Sequence, residues 1–302
     1  MLILIAGVTG MVGQACAKAA FNAGHQVRGL ARNPSKLPSE IKDRLEGFVT
    51  MEDIYDIPAL DKAVQGVDAI IASVHYTAAP VVDGQILLLR AAERAGVKIF
   101  HAASWNYDWS KVALGDCESY DSYIAFRSHA RLSSTIKPIY AFTGVIAEFI
   151  FDYVEHASPV NEKAKVLSYF GTGNEDWAFT VLDDLAAYTI QAVSEPDADQ
   201  GGFYYVDSFR TTTVGIGKVY EKVYKTQLEY KHVGSIEDLE KKVQHCRETI
   251  SPLRNREYAG LVYLMLQLKG LLDYESKDSK RWSHIKQTGF EEWLEKRRKE
   301  RS

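Results

Sequence analysis

The sequence contains little cysteine, with three residues in 302: Cys16, Cys117 and Cys246. Their wide spacing argues against a clustered metal motif, and their odd number argues against a disulfide framework. A chain with this cysteine usage fits a reducing compartment. We therefore expect a cytoplasmic protein that is held together without disulfides and has no metal site.

The sequence also lacks a long apolar segment and an excess of charge of either sign. The most apolar later stretch, residues 261–266, is interrupted by Gln267 and Lys269 far short of a membrane span. The first apolar run has no basic leader, so we expect no secretory signal. A formal net charge of −4 gives no broad attraction to nucleic acid or to an anionic membrane. The expected partner is a small molecule, and the oligomeric state stays open.

The beginning of the chain carries a glycine-rich turn between a strand and a helix. Residues 2–6 form an apolar run typical of a buried parallel strand, and residues 14–21 are rich in helix formers. A strand, a glycine turn and a helix in this order let backbone N–H groups approach a pyrophosphate at the positive end of the helix. The spacing of the turn is G-x-x-G-x-x-G, and its predicted cofactor-binding residues are Gly7, Thr9, Gly10, Met11, Val12 and Gly13.

The second predicted strand, residues 26–31, ends at a basic residue. Sites for NAD usually have an acidic residue here, which binds the ribose 2′-hydroxyl, whereas sites for NADP have an arginine near the 2′-phosphate. Arg32 and the nearby Lys36 supply two positive charges at this position. The pattern therefore predicts NADP(H) as the cofactor.

Strands and helices alternate along the first half of the chain. Strands are predicted at residues 2–6, 26–31, 47–50, 67–73, 97–103 and 139–142. This alternation predicts an α/β fold with a Rossmann-type doubly wound parallel sheet. We place the cofactor domain at residues 1–143 and a second region, interleaved with it, at 144–302. Ligands of such sheets bind beyond the carboxyl ends of the strands, which adds Ser73, Val74 and His75 to the cofactor-binding residues.

Several motifs make the chain resemble an atypical short-chain dehydrogenase/reductase of the NmrA-like and isoflavone-reductase-like branch. The resemblance covers nearly the whole chain. It implies a Rossmann domain that binds NADP(H) and a smaller C-terminal α/β substrate-binding region that forms one wall of a substrate cleft. The matching stretches are residues 7–13, 31–34, 65–71 and 91–98, with weaker matches at 169–174, 180–186 and 288–294.

The candidate catalytic residues follow the fifth predicted strand. Reduction by hydride also needs a proton donor, and relatives that the chain resembles use a Tyr-x-x-x-Lys pair or a single lysine on the helix after this strand. Here Tyr123 and Arg127 have the spacing that puts two side chains on one helix face, and the lysine is absent. Arg127 stays protonated, so we expect it to bind the nicotinamide ribose and favour ionisation of Tyr123. Ser104 and Asp116 complete the set, Asp116 as an alternative proton donor.

Aromatic residues are concentrated where the substrate is expected. A loop has little core to fill, so aromatic side chains on it favour a flat, largely apolar substrate. The leading hypothesis is an NADPH-dependent reductase that acts on C=O, C=N or activated C=C bonds of a small aromatic or heterocyclic, secondary-metabolite-like substrate. Two alternatives stay open: an NADP(H)-binding cyclase or isomerase with linked or no net redox chemistry, and a non-catalytic NADP(H)-sensing regulator. The candidate substrate contacts are Trp105, Tyr107, Phe149, Phe151 and Tyr153.

Overall fold

The computed structural model describes residues 1–75, 77–152 and 159–301. The strands are β1 (Leu2–Ala6), β2 (Gln26–Ala31), β3 (Gly47–Thr50), β4 (Ala69–Ala72), β5 (Ile99–His101), β6 (Ile139–Phe142), β7 (Val145–Ile146), β8 (Val160–Asn161), β9 (Val166–Phe170), β10 (Asp176–Thr180), β11 (Gly202–Tyr205), β12 (Phe209–Thr212) and β13 (Glu229–Gly234). The α-helices are α1 (Met11–Asn22), α2 (Ser39–Lys42), α3 (Ile57–Ala63), α4 (Gln85–Ala95), α5 (Glu118–Ser133), α6 (Phe149–Asp152), α7 (Leu182–Ser194), α8 (Thr213–Tyr224), α9 (Ile236–Thr249), α10 (Ala259–Leu268), α11 (Lys277–Arg281) and α12 (Phe290–Arg301). A π-helical turn, Pro80–Gly84, precedes α4.

The chain divides into two compact units. Unit 1 contains Met1–Trp105, Ser122–Phe142 and Leu185–Tyr205, and unit 2 contains Asn106–Asp121, Thr143–Asp184 and Val206–Ser302. A single boundary after residue 143 would place the segment 106–121 in the first part of the chain and the segment 185–205 in the second, whereas the structure has them in unit 2 and unit 1. The second of these carries β11, which pairs with β6 and so belongs to the sheet of unit 1.

Unit 1 is built on a seven-stranded sheet in the order β3-β2-β1-β4-β5-β6-β11. All neighbouring strands in it are parallel. The central strands β1 and β4 are apolar runs whose side chains are almost entirely buried, as expected for a sheet covered on both faces. The predicted doubly wound parallel sheet is confirmed, with β1 and β4 adjacent at the point where the strand order reverses.

Unit 2 contains two three-stranded sheets. One has the order β12-β10-β7, with an antiparallel β10–β12 pair, and the other has the order β13-β9-β8, with a parallel β9–β13 pair. Residues 166–170, followed by the turn residues 171–174, are typical of a strand, and they form β9. Within the described ranges, no helix has the length and apolar composition needed to cross a membrane.

Local sequence signals fix several helix ends. Asp56 caps α3 by accepting a hydrogen bond from the Ala59 N–H at 3.1 Å. Gly96 ends α4 in the left-handed conformation. Ser235 and Asp238 form a reciprocal capping box at the start of α9. Asp or Ser ahead of a helix-forming run and Gly after one are sequence signals for helix ends, and the structure has a helix end at each of these three positions.

Candidate functional site

The glycine turn of unit 1 brings β1, β4 and α1 into close contact. Gly7 has φ +87°, and a Cβ there would lie 2.0 Å from the Ser73 carbonyl oxygen. A Cβ on Gly13 would lie 2.4 Å from the Gly7 carbonyl oxygen. Both contacts are with backbone atoms, so neither position has room for a side chain. The turn is therefore a tight cradle of backbone at the carboxyl ends of β1 and β4.

The first turn of α1 presents its N–H groups at this cradle. Gly10 is the N-cap and supplies no side-chain oxygen to the helix. The N–H groups of Met11, Val12 and Gly13 belong to the first turn and have no acceptor within the helix. Gly10 and Met11 are exposed. An exposed helix N-terminus of this kind attracts an anion through its N–H groups and its dipole.

Two exposed cations follow β2. Arg32 comes directly after the last residue of the strand, and neither Arg32 nor Lys36 forms an ion pair with any residue that the structure describes. The Asn33 side chain accepts hydrogen bonds from the Ser35 N–H at 2.9 Å and the Ser35 hydroxyl at 2.7 Å. These bonds shape the short helical turn Pro34–Lys36. The end of β2 thus offers two positive charges that are not paired with a carboxylate among the described residues.

The residues after β4 lie beside the glycine turn. The Ser73 N–H donates to the Ala6 carbonyl at 2.7 Å, which joins the ends of β4 and β1. Ser73 and Val74 are half-buried, and His75 is exposed with its Nδ1 3.1 Å from the Thr77 hydroxyl. The structure therefore brings Ser73 next to Gly7, and Val74 and His75 continue along the same connection.

Sequence patterns did not single out two further side chains on this edge of unit 1. Gln85 is fully buried, and its amide accepts from the Ala103 N–H and donates to the Val81 carbonyl, each at 2.8 Å. The exposed Tyr55, on the loop after β3, donates its hydroxyl to Asp83 at 2.9 Å. Two features of the sequence could have indicated these residues. Gln85 is a polar residue at the start of an otherwise apolar helix, and Tyr55 is an aromatic residue in a polar loop.

Ser104 has a structural position. Its hydroxyl accepts from the Ala141 N–H at 2.8 Å and lies 3.2 Å from the Ala102 carbonyl, and the side chain is 1% exposed. These bonds link the end of β5 to β6, and both partners of the Ser104 hydroxyl are backbone groups. Ser104 is therefore corrected from a catalytic candidate to a residue that holds two strands together.

Trp105 belongs to a buried polar cluster in unit 1. Its indole N–H donates to the Thr189 hydroxyl at 2.9 Å, and its ring stacks on His101 with 5.0 Å between centroids. The His101 Nε2 lies 2.9 Å from the Tyr204 hydroxyl. Burial lowers the pKa of His101 to about 3, so the imidazole is neutral at physiological pH. The indole N–H of Trp105 thus already donates to another residue of unit 1.

Tyr123 and Arg127 lie on α5, as the sequence predicted. Tyr123 is 7% exposed. The Arg127 guanidinium carbon lies 4.7 Å from the centre of the Phe203 ring on β11, a cation–π contact. Arg127 therefore contacts the outermost strand of the sheet, and its role at the nicotinamide end of the site stays a prediction.

In unit 2 the loop aromatics fill a core. Tyr107 is fully buried, and its hydroxyl accepts from the Ala178 N–H at 2.8 Å and donates to the Ala178 carbonyl at 3.3 Å. Its ring packs against Trp177, Tyr263 and Tyr274, and burial raises its pKa. The expectation that this loop has little core to fill is wrong, and Tyr107 is corrected from a substrate contact to a core residue.

The remaining candidates have different surroundings. Asp116 is exposed, and its carboxylate accepts from the Ala113 N–H at 2.8 Å across a turn. Phe149 is half-buried at the start of α6. Phe151 packs under the Arg297 guanidinium at 4.2 Å and beside Trp293, so its ring is part of the packing against α12. Tyr153 lies outside the described residues.

Comparisons with known proteins give one consistent picture. A model described as the NmrA-like family matches residues 1–294. An isoflavone reductase homolog of Solanum tuberosum is 30% identical over 64% of this chain and 65% of its own length, slightly under two thirds. Phenylcoumaran benzylic ether reductase POP1 of Populus trichocarpa is 27% identical over 74% of this chain and 77% of its own.

Solved structures match almost the whole chain. A crystal structure of isoflavone reductase superposes with a TM-score of 0.77 at 21% identity, covering 98% of both chains. The leucoanthocyanidin reductase–NADPH binary complex from Vitis vinifera superposes with a TM-score of 0.77 at 19% identity, covering 97% of this chain and 98% of that one. Identities this low establish a shared fold.

Proposed function

The chain belongs to the NmrA-like family, as its motifs indicated, and from that premise we propose that it is an NADPH-dependent reductase of a small aromatic or heterocyclic molecule. The observation that carries the proposal is the pairing of a backbone cradle with uncompensated positive charge. Gly7 and Gly13 leave no space for side chains beside the exposed start of α1, and Arg32 stands free at the end of the neighbouring strand β2. A pyrophosphate fits the first feature and a 2′-phosphate the second.

The preference for NADPH over NADH follows from the charges after β2. The 2′-phosphate is a dianion that an exposed arginine and lysine stabilise by charge-assisted hydrogen bonds. NADH would instead need an acidic side chain for its 2′-hydroxyl, and the chain has Arg32 at that place. The similar leucoanthocyanidin reductase–NADPH complex supports the same choice.

When bound, the cofactor supplies a hydride, and the chain must supply the proton. We propose Tyr123 as the donor. Tyr123 and Arg127 are the two catalytic candidates on α5. The phenol of Tyr123 can give up a proton, whereas Arg127 stays protonated and packs on Phe203. Asp116 is the alternative donor, although its carboxylate is already the acceptor of a turn hydrogen bond.

The substrate class rests on the named relatives and on unit 2. The relatives are called isoflavone, phenylcoumaran benzylic ether and pinoresinol-lariciresinol reductases. Within unit 2, the half-buried rings of Phe149 and Tyr263 keep exposed surface for a flat partner, unlike the fully buried Tyr107. The proposed reaction is reduction of a C=O, C=N or activated C=C bond conjugated to an aromatic ring.

A turnover assay tests this function. The purified protein is mixed with NADPH or NADH and a panel of aromatic imines, enones and ketones, and the loss of cofactor absorbance is compared with product mass. Stoichiometric oxidation of NADPH supports a reductase. A product of unchanged oxidation state supports a cyclase or isomerase instead, and NADPH binding without any turnover supports a sensor. Tyr123→Phe should lower kcat and leave the affinity for NADPH unchanged.

A further inference from the structure

The loop after β3 reaches across unit 1 to the connection after β4. In the sheet, β3 and β4 are separated by β2 and β1. Neighbouring strands lie about 4.8 Å apart, so the carboxyl ends of β3 and β4 are separated by about 14 Å. Nevertheless, Tyr55 on the first connection donates to Asp83 on the second at 2.9 Å. A Cβ on Gly84 would also lie 3.4 Å from the Ile54 side chain.

These contacts mean that the two connections together span the width of β1 and β2. The 51–56 loop is held in shape by its own hydrogen bonds. Asp53 accepts from the Tyr55 N–H at 2.7 Å, and Asp56 accepts from the Glu52 N–H at 3.0 Å. The Asp83 end lies in the π-helical turn Pro80–Gly84, which Gln85 anchors through its bond to the Val81 carbonyl. We call this contact between two shaped segments the Tyr55–Asp83 bridge.

The position of the bridge relates it to one half of a dinucleotide. A pyrophosphate at the start of α1 and a 2′-phosphate at Arg32 would place the adenosine half beyond the carboxyl ends of β1 and β2. Those are the strands whose width the bridged connections span. Tyr55 is 56% exposed although its hydroxyl donates to Asp83, so the bridge leaves an exposed aromatic residue on this edge.

We propose that the Tyr55–Asp83 bridge forms the wall of the site on the adenine side and positions the adenosine half of NADP(H). The proposal rests on the proposed function, because it assumes that the dinucleotide binds along this edge. Tyr55 is a positioning residue in this proposal: it acts by holding the 51–56 loop against the turn after β4. The nicotinamide half is not expected to depend on it.

Binding of the two halves of the cofactor tests the bridge. Affinities for NADPH, for 2′,5′-ADP as the adenosine half and for reduced nicotinamide mononucleotide as the other half are measured on the full chain. Tyr55→Phe keeps the ring and removes the hydroxyl. The affinities for NADPH and 2′,5′-ADP should fall by about three- to tenfold, which corresponds to the free energy of one hydrogen bond. The affinity for the mononucleotide should stay unchanged.

Matched variants at Asp83 separate the hydrogen bond from the charge. Asp83→Ala and Asp83→Asn both remove the negative charge, but only asparagine keeps an oxygen that accepts from Tyr55. Asp83→Ala should therefore lower the affinities for NADPH and 2′,5′-ADP as much as Tyr55→Phe does. Asp83→Asn should bind both ligands as well as the unaltered protein. The Tyr55→Phe/Asp83→Ala double variant should bind them no more weakly than either single variant.

The outcomes distinguish the bridge from the proposed function. If the unaltered protein binds neither NADPH nor 2′,5′-ADP, the proposed function fails and the bridge proposal fails with it. If it binds both and Tyr55→Phe binds equally well, the bridge proposal alone is overturned. Equal losses for both halves of the cofactor would also overturn it, since they would indicate a general structural defect.

Discussion

At the scale of single residues, we propose that Arg32 determines the choice between NADPH and NADH. It is exposed, it follows the last residue of β2, and it has no ion-pair partner among the described residues. Arg32→Ala should weaken NADPH by about ten- to a hundredfold, because a hydrogen bond to a charged group contributes about 1.5–3 kcal/mol. NADH has no 2′-phosphate, so its affinity should stay the same. Titration of the fluorescence of both reduced cofactors measures the effect.

The control for Arg32 is a cation at the other end of the sheet. Lys98 is exposed and directly precedes β5, at the amino ends of the parallel strands. Lys98→Ala removes the same charge from the chain and should leave both affinities unchanged. Equal losses of NADPH and NADH binding in Arg32→Ala would contradict the assignment of Arg32 to the 2′-phosphate.

His101 is a second residue with a measurable consequence. Burial lowers its pKa from 6.5 to about 3 in the folded protein. Between these values the unfolded chain binds a proton that the folded chain does not, so stability falls as the pH falls from about 6.5 towards 3. The contribution of His101 is at most about 1.4 kcal/mol per pH unit. His101→Gln keeps a polar partner for Tyr204 and should flatten urea-unfolding stability against pH in this window.

The comparison of the two pH profiles isolates the histidine. Above pH 6.5 the curves of His101→Gln and the unaltered protein should run parallel, offset by the loss of the stack on Trp105. Below it they should converge. Curves that stay parallel down to pH 4 would show that His101 is protonated in the folded state as readily as in the unfolded one.

At the scale of elements, the glycine turn is fixed by backbone contact. Gly7→Ala would put a Cβ 2.0 Å from the Ser73 carbonyl oxygen, and we expect a loss of at least about 3 kcal/mol in the free energy of unfolding. Gly24→Ala is the matched control. Gly24 has φ +78° but no atom within 4 Å of its Cβ position, so only the left-handed backbone is penalised, by about 1 kcal/mol. Urea unfolding measures both, and equal losses would contradict the contact argument.

Elements with a strong periodic or apolar signal could be predicted from the sequence. The bounds of β1, β2, β3 and β6 match the predicted strands because each is a short, mostly apolar run between turn signals. Strand β12 has no such boundary, since Phe209–Thr212 runs directly into α8 without a break. Its strand identity depends on pairing with β10, a contact between residues far apart in the chain.

The candidate site shows the same division between local and long-range information. The glycine turn and Arg32 are defined by spacing along the chain, and the structure places them on adjacent strands. The environments of Tyr107 and Arg127 depend on Ala178 and Phe203, which come more than seventy residues later. Helical spacing fixed the face of α5 but could not say that β11 supplies the aromatic ring opposite Arg127.

At the scale of the whole molecule, the chain passes back and forth between its two units. Each unit is assembled from three segments, and the helices α5 and α7 each have residues in both. The segments that carry β6 and β11 of unit 1 continue directly into unit 2 at both ends. Unfolding of either strand would therefore also affect chain that belongs to unit 2. This connectivity makes separate unfolding of one unit costly, because two helices would have to break within their length.

We therefore expect the chain to unfold in one cooperative transition that NADPH shifts as a whole. A ligand that binds only the folded protein adds about 2.7 kcal/mol of stability at a hundred times its Kd. The proposed cofactor residues all lie in unit 1. Native-state hydrogen exchange with mass spectrometry should nevertheless give the same gain for peptides from β1 of unit 1 and β10 of unit 2. Arg32→Ala at the same NADPH concentration is the control and should lose about half of the gain or more in both. A gain confined to β1 would instead show that the units unfold independently, despite the two helices that they share.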